Sequence, residues 1–268
     1  MFGRAKMTLS PEQVDHVSSR DGIPNQLLTG WADGFLKSIG FDWVRSLDYS
    51  DFEGADFTWN LNKPLINSDK KMSELFSSVD LILDNGTSKH VFNPGMSFCN
   101  AATLLKMGGH LNAVLPVCGW CDHGIYQFSP SFFYAVDRAE FKLEALYFFA
   151  RSTQSGKLML WDGLQKGFRE HVHGAFDGSF AANCLQFLNE PILAWGLFKK
   201  VSEVNPVDFM HNTQQLIYKK QWSGALDAIR SNSTLKLEMY HLEGLARERR
   251  FVEYIKSIAI DIEQLAVP

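Results

Sequence analysis

A strand–helix–strand pattern between residues 79 and 116 constrains the fold more than any other part of the sequence. The apolar run Val79–Asp84 ends in a polar turn over residues 85–94, and apolar side chains then recur at helical spacing from Met96 to Lys106. Glycines at 108 and 109 stop that helix, and a second apolar run covers residues 110–116. Two strands joined by a helical crossover run parallel, so the pattern predicts an α/β fold with a helix-covered, mainly parallel sheet.

The same stretch resembles a known family. The order V-D-L-I-L-D-N-G-T-S-K-H-V-F-N-P, an amphipathic helix, then L-L-K-M-G-G-H-L-N-A-V-L-P is similar to the fourth strand, helix and fifth strand of class I S-adenosylmethionine-dependent methyltransferases. The later segment H-G-I-Y-Q-F-S-P, residues 123–130, resembles a bacterial subgroup of methyltransferase-like proteins. The resemblance extends over about 75 residues. It implies a seven-stranded, Rossmann-like sheet.

Further apolar runs supply the other expected strands. The first is expected at residues 5–9, the second at 43–48, the third at 55–62, the sixth at 141–150 and the last at 192–201. Between the last two, residues 152–190 form a glycine-rich, polar insert, and helical spacing begins near residue 207. We therefore expect a methyltransferase-like domain over residues 1–205 and a C-terminal helical extension over 206–268, whose apolar stripe packs on the domain or on a second chain.

Composition restricts the partners. The chain has 268 residues, 46% hydrophobic and 21% charged, and a net charge of −4, which gives no electrostatic reason to expect nucleic acid. No run of 18 apolar residues occurs, and the beginning of the sequence lacks the pattern of a secretory signal. Four cysteines fit reduced thiols better than a disulfide framework. We expect a cytoplasmic protein with a small-molecule substrate, no membrane contact and a homodimer as one option.

The resemblance implies an S-adenosylmethionine site at the carboxyl edge of the sheet. Asp48, at the end of the second strand, is the expected ribose ligand. The other expected cofactor contacts are Leu9, Ser10, Asn60, Asp84, Asn85 and Gly86. Three of these residues have a simpler alternative role: Ser10 as a helix N-cap before Pro11, Asp48 as a turn aspartate, and Asn60 as a polar strand end.

The loop after the fifth strand carries the expected catalytic groups. In the resembled fold it lies beside the transferred methyl group, so His123 is the candidate general base and Tyr126 its neighbour. Thr87, His90 and Gln127 are the expected substrate contacts. A helix-capping or packing role remains open for His90, and His123 could instead be a loop histidine bonded to backbone carbonyls. Cys118 and Cys121, with His123, also form a Cys-x-x-Cys segment, but neither redox chemistry nor a zinc site is favoured, and no metal is expected.

The resemblance implies methyl transfer from S-adenosylmethionine to an oxygen of a small acceptor. Two departures motivate a rival. No G-x-G-x-G follows residues 5–9, and Lys89 stands where the family motif has glutamate. The rival is a protein that kept the fold, lost the cofactor and acts as a binding or scaffold partner, or one that uses the pocket for other chemistry.

Overall fold

The computed structural model describes residues 1–65, 70–165, 190–212 and 260–261. The helices are α1 (Pro11–Asp21), α2 (Asp33–Ser38), α3 (Lys70–Ser73), α4 (Pro94–Leu104), α5 (Pro130–Val136) and α6 (Pro206–Asn212), with 3₁₀ turns at Asn25–Leu27 and Thr87–His90. The strands are β1 (Leu47–Asp48), β2 (Phe57–Thr58), β3 (Val79–Asp84), β4 (Leu105–Cys118), β5 (Phe141–Arg151), β6 (Leu158–Asp162), β7 (Ile192–Lys200) and β8 (Ile260–Asp261).

The fold is α/β, with a mixed sheet flanked by helices. Six strands pair in the order β3-β4-β7-β5-β6-β8, and β1 and β2 form a parallel pair of their own. The sheet is less parallel than expected, because β7 lies between β4 and β5 and runs antiparallel to both. Of the pairs in the larger sheet, β3 with β4 is parallel.

The beginning of the chain joins the two groups of strands. Phe2 makes parallel bridges to Leu47 of β1 and to Asp84 of β3 at the same time. Its N–H donates to the carbonyl of Leu83 at 2.9 Å, and the N–H of Leu47 donates to the carbonyl of Met1 at 2.9 Å. The parallel strands therefore lie side by side in the order β2, β1, Phe2, β3 and β4.

The expected first strand at residues 5–9 is wrong. Within this segment Lys6 makes one isolated antiparallel bridge, to Trp31, and the strand position is taken by Met1 and Phe2. Ser10 instead caps α1, because its side chain accepts a hydrogen bond from Gln13 N while the Gln13 side chain accepts one from Ser10 N. The capping residues at the start of α1 therefore determine the local structure here, and the short apolar run before them does not form a strand.

Other strand bounds agree more closely with the sequence pattern. The strands expected at 79–84, 141–150 and 192–201 are confirmed within one residue, and the fifth extends from Leu105 to Cys118. The second and third are shortened to two residues each. The insert expected at 152–190 contains β6, and residues 166–189 lie outside the described chain.

A phenylalanine-rich core holds α4 and α5 against the sheet. Phe98 packs edge-on against Phe198 of β7, with 5.6 Å between ring centroids, and Phe198 stacks on Phe141 of β5 at 5.4 Å. These three rings and Phe133 are fully buried. Burying a side chain of this size contributes about 2–3 kcal/mol, so this core fixes the strands whose ends form the candidate site.

The region after residue 205 is described in part. Phe209 of α6 is buried against Phe141, and the Arg138 guanidinium pairs with the Asp208 carboxylate, so α6 packs on the main domain. Ile260–Asp261, which the sequence pattern places in a helix, pair with β6 instead. The remainder of the predicted extension, with its apolar stripe at Leu242, Leu245, Phe251, Ile255 and Ile258, lies outside the described residues. No helix within the described ranges is long and apolar enough to cross a bilayer.

Candidate functional site

The topology places a reversal of strand order at the carboxyl end of β3. From Phe2 the chain turns to β1 and β2 on one side, and it then crosses over to β3 and β4 on the other side. Such a reversal of strand order is the switch point at which open α/β sheets hold ligands. Gly3, Asp48, Asp84, Gly86 and Thr87 lie at this point, and we call them the switch-point cluster.

Gly3 follows the first strand position directly and brings its backbone against two side chains. Its φ is +68°, and a Cβ placed on it would lie 2.6 Å from Thr87 Oγ1 and 3.7 Å from Asp48 Oδ2. Thr87 Oγ1 donates to the carbonyl of Phe2 at 2.8 Å. Glycine adopts this backbone without strain and allows Thr87 to pack this closely against it. Sequence reasoning missed Gly3, because it searched for glycines after residues 5–9.

The two carboxylate oxygens of Asp48 differ in their contacts. Oδ1 accepts a hydrogen bond from Tyr49 N at 2.6 Å, so the turn-aspartate alternative describes one half of the carboxylate. Oδ2 lies on the side of Gly3, and within the described residues no hydrogen bond reaches it. The second oxygen is therefore available to a hydroxyl donor at the switch point.

Asp84 is the buried centre of the loop after β3. It is 1% exposed, and Ser88 donates to it twice, from its N–H at 3.2 Å and from its hydroxyl. Ser88 Oγ in turn lies 2.6 Å from Ser97 Oγ of α4. Burial raises the pKa of Asp84, and the hydrogen bonds from Ser88, Thr87 and Gly86 oppose that increase. Asp84 therefore shapes the loop from inside, and its carboxylate is not free for a ligand.

The remaining residues expected to bind the cofactor lie in the turns after β3 and β2 and in the segment before α1. Asn85 is exposed and Gly86 is buried with φ +99°, both in the turn after β3. Asn60 Oδ1 accepts from Asn62 N and Nδ2, each at 2.9 Å, so it organises the turn after β2. Leu9 and Ser10 precede α1, where all hydrogen bonds of Ser10 are made within the first turn.

The loop between β4 and α5, residues 119–129, packs on the 3₁₀ turn after β3. The carbonyl of Lys89 accepts from Ile125 N at 2.8 Å and from Tyr126 N at 3.2 Å. Tyr126 Oη donates to the carbonyl of Phe92 at 2.8 Å. Tyr126 is therefore a positioning residue that fastens the loop, and its proton is already engaged.

Two histidines face each other where these loops meet. The rings of His90 and His123 lie 6.5 Å apart, centroid to centroid, and His123 also lies 5.2 Å from the Trp120 ring. Partial desolvation of the ring, together with Lys89 and His123 nearby, lowers the pKa of His90, so its imidazole is neutral at neutral pH. Both side chains are exposed to solvent. The two imidazoles therefore lie near each other at the surface, where the two loops meet.

Gln127 and the cysteines have structural roles in the loop. Gln127 Oε1 accepts from Trp120 N at 2.8 Å, and its Nε2 lies 3.7 Å from Cys121 Sγ, so both ends of this amide are engaged. Burial raises the pKa of Cys118, which disfavours the thiolate needed for redox chemistry or zinc binding. Across the described part of the chain, no group of three or more His, Cys, Asp or Glu side chains could hold a metal ion.

Lys89 connects the two loops. Its Nζ lies 3.1 Å from the position of a Cβ on Gly86, and its Cγ lies 2.8 Å from that of a Cβ on Gly124. Burial lowers the pKa of its ammonium group, while the charge of Asp84 opposes that shift. The lysine stem therefore fills space that glycines leave on either side of it.

Replacing Gly124 by alanine is expected to push the β4–α5 loop away from Lys89. The added methyl group would meet Lys89 Cγ at 2.8 Å and strain the hydrogen bonds that the Lys89 carbonyl accepts. We expect a loss of about 1–2 kcal/mol in the free energy of unfolding, measured in urea. The double variant Gly124→Ala, Lys89→Ala should recover most of this loss, and equal stabilities of the two variants would contradict the contact.

Comparison with models of known protein families, with curated proteins and with solved structures finds no match for this chain. The function is therefore argued from the arrangement of its residues.

Proposed function

We propose that the protein transfers a methyl group from S-adenosylmethionine to an oxygen of a small acceptor. The observation that carries the proposal is the convergence of Gly3, Asp48 and Thr87 at the switch point of the sheet. With Phe2 at the first strand position, the order 3-2-1-4-5 of the parallel strands is the doubly wound order of nucleotide-binding folds. This order supports the seven-stranded, Rossmann-like architecture that the sequence resemblance implies.

The residues present suit the cofactor. Gly3 lets the backbone after Phe2 pack directly against Thr87, and Asp48 Oδ2 offers an acceptor for a ribose hydroxyl beside it. Thr87 holds the carbonyl of Phe2 and so fixes the direction of the glycine turn. S-adenosylmethionine supplies an electrophilic methyl group when bound. The protein must then position an acceptor and take up one proton, so few catalytic side chains are needed.

His123 is the proposed general base. It lies on the β4–α5 loop, which three hydrogen bonds from Ile125, Tyr126 and the Tyr126 hydroxyl hold against the turn after β3. A neutral imidazole can accept the proton of a hydroxyl as its oxygen is methylated. His90, neutral and 6.5 Å away, is proposed to orient the same hydroxyl.

The surroundings of the two histidines indicate an acceptor with an apolar or aromatic body. Phe92 is 73% exposed and Ile125 55% exposed, and both lie on the loops that carry His90 and His123. Phe92 and Tyr126 also lie 6.4 Å apart with tilted rings. Exposed apolar side chains beside polar ones can mark a surface that binds a ligand. A cytoplasmic location stays a prediction, to be checked by fractionation.

His123→Ala is expected to lower turnover by roughly 10²–10⁴-fold while leaving cofactor affinity within twofold, because removal of a general base acts on the chemical step. The measurement is turnover with a panel of phenolic and aliphatic hydroxyl acceptors, with affinity for S-adenosylhomocysteine measured in parallel. His110→Ala is the matched control, since His110 pairs with Glu144 on β5. Unchanged turnover in the His123 variant would remove this residue from the base role.

One observation favours the cofactor-free alternative. The Lys89 side chain lies over Gly86 and against Gly124, so it fills part of the space between the two loops. A binding or scaffold protein that has lost the cofactor does not need this space for a ligand. The variant Lys89→Ala distinguishes the two proposed functions. If the protein binds S-adenosylmethionine and the lysine stem narrows the site, the variant should bind this cofactor more tightly than the wild type. If the protein has no cofactor site, the variant should not bind it either.

A further inference from the structure

The ammonium group of Lys89 has no hydrogen-bonding partner among the described residues. Burial lowers its pKa, and the charge of Asp84 opposes that shift through space, without a hydrogen bond between the two groups. The Asp84 carboxylate already accepts the hydrogen bonds of Ser88. Lys200, by contrast, is buried and pairs with the Glu203 carboxylate at 3.0 Å. Lys89 is therefore a partly desolvated cation that lacks an anion of its own.

The path of the Lys89 side chain places its ammonium group between the two loops of the candidate site. Cγ lies 2.8 Å from the position of a Cβ on Gly124, in the β4–α5 loop, and Nζ lies 3.1 Å from that of a Cβ on Gly86, in the switch-point cluster. The Lys89 carbonyl accepts from Ile125 N and Tyr126 N, so the backbone that carries the side chain is fixed. The charge is thus held where the cofactor site and the histidine loops meet.

One of the two histidines lies within electrostatic range of this charge. The lowered pKa of His90 has partial desolvation of its ring as the largest cause, followed by the positive charge of Lys89 and by His123. The neutral imidazole of His90 supplies no charge of its own at neutral pH. Lys89 therefore brings a single positive charge to this surface, which one carboxylate balances and a doubly charged phosphate does not.

We propose that the acceptor is a hydroxy acid with an aromatic body, and that Lys89 is the specificity-determining residue that binds its carboxylate. This inference rests on the proposed function, because it concerns the acceptor of the same site. In this arrangement the hydroxyl faces His123, and the ring contacts Phe92, which is 73% exposed and lies two residues after His90. Pairing with a carboxylate offsets the cost of keeping a partly buried ammonium group desolvated. An acid should therefore bind more tightly than the corresponding amide.

The first experiment measures binding without the cofactor, so its result does not depend on methyl transfer. The wild-type protein is titrated with 2-, 3- and 4-hydroxybenzoate and with the corresponding hydroxybenzamides, which keep the ring and the hydroxyl but carry no charge. We expect at least one hydroxybenzoate to bind saturably and about tenfold or more tightly than its amide, because a hydrogen bond to a charged group is stronger than one to a neutral group.

Lys89→Met keeps most of the apolar stem and removes the charge, so it should reduce the preference for the acid to within about twofold. Lys106→Met is the matched control and should keep the preference, since Lys106 pairs with Asp80. Three results would overturn the proposal: no binding of any hydroxybenzoate, equal binding of acid and amide by the wild type, or the wild-type preference in Lys89→Met.

A second measurement checks the position of the charge. The pKa of His90, followed by proton NMR, should rise in Lys89→Met, because the variant removes a positive charge near the ring. An unchanged pKa would place the ammonium group too far from the histidines for one acceptor to contact both, and it would also overturn the proposal.

Turnover with S-adenosylmethionine separates this inference from the proposed function. Lys89→Met should raise KM for the hydroxybenzoate about tenfold or more and leave kcat within about threefold, because the lysine holds the acceptor and takes no part in the chemical step. Methyl transfer that does not distinguish acid from amide would leave the proposed function intact and overturn the role of Lys89. Binding of the acid with no methyl transfer would instead contradict the proposed function and support the carboxylate site.

Discussion

Asp84→Ala is expected to destabilise the protein by about 3–5 kcal/mol, because it removes the acceptor of a buried hydrogen-bond network. The Ser88 hydroxyl and the N–H groups around it would lose their partner inside the core. The loop from Gly86 to His90 would no longer be held at the switch point. Urea unfolding measures the change, and Asp84→Glu, which keeps the charge but not the geometry, should recover only part of it.

Asp84→Asn provides the matched control, with a distinct dependence on pH. Since burial raises the pKa of Asp84 in the folded state, the native protein holds this proton more tightly than the unfolded chain does. Its contribution to stability is therefore full below the unfolded pKa and falls as pH rises through the folded pKa. The Asp84→Asn variant should lack this component of the pH dependence. Parallel stability curves for wild type and this variant would contradict a raised pKa.

Gly3→Ala is expected to abolish cofactor binding and to destabilise the protein by about 2–4 kcal/mol, from backbone strain and a steric clash together. The new Cβ would lie 2.6 Å from Thr87 Oγ1, so the methyl group and the threonine cannot both keep their positions. The side chain of Thr87 would release the carbonyl of Phe2, which it now binds. Calorimetric titration and urea unfolding measure the two effects.

The control variant Gly30→Ala distinguishes the effect of backbone strain at positive φ from the effect of the steric clash with Thr87. Gly30 has φ +74°, close to the +68° of Gly3, but a Cβ there would meet nothing within 4 Å. This control should show the strain alone, about 1–2 kcal/mol, with cofactor affinity retained. If Gly3→Ala and Gly30→Ala had the same effect on stability and on binding, the close approach at the switch point would have no role.

The sequence predicted the parts of this fold that rest on local pattern. The strand at Val79–Asp84 is confirmed, and the helix expected over 96–106 lies two residues earlier, at Pro94–Leu104. The strand expected at 110–116 begins at Leu105, so Gly108 and Gly109 lie within that strand and the prediction that they stop the helix was wrong. The direction of β7 could not be predicted, because alternation of side chains is the same in a parallel and an antiparallel strand. Its place between β4 and β5 depends on pairs of residues that are distant in the sequence.

The candidate site was predicted in part for similar reasons. Asp48, Asp84 and His123 became candidates because the family resemblance places such residues at or after the ends of its second, fourth and fifth strands. Ser97 was missed, because it lies within the apolar stripe of α4 and its contact with Ser88 depends on how the helix packs. Gly3 was missed because the strand before it contributes only Met1 and Phe2, too few residues for any periodicity.

Calorimetric titration with S-adenosylmethionine and S-adenosylhomocysteine tests the central claim most directly. We predict saturable binding in the micromolar range, about 8 kcal/mol, for the wild-type protein. Asp48→Asn should weaken it about tenfold, because it removes the acceptor charge at Oδ2 while an amide oxygen can still accept from Tyr49 N. Asp51→Asn, in the same turn, should bind as the wild type does. No binding of either ligand to the wild-type protein would contradict the proposed function and favour the cofactor-free alternative.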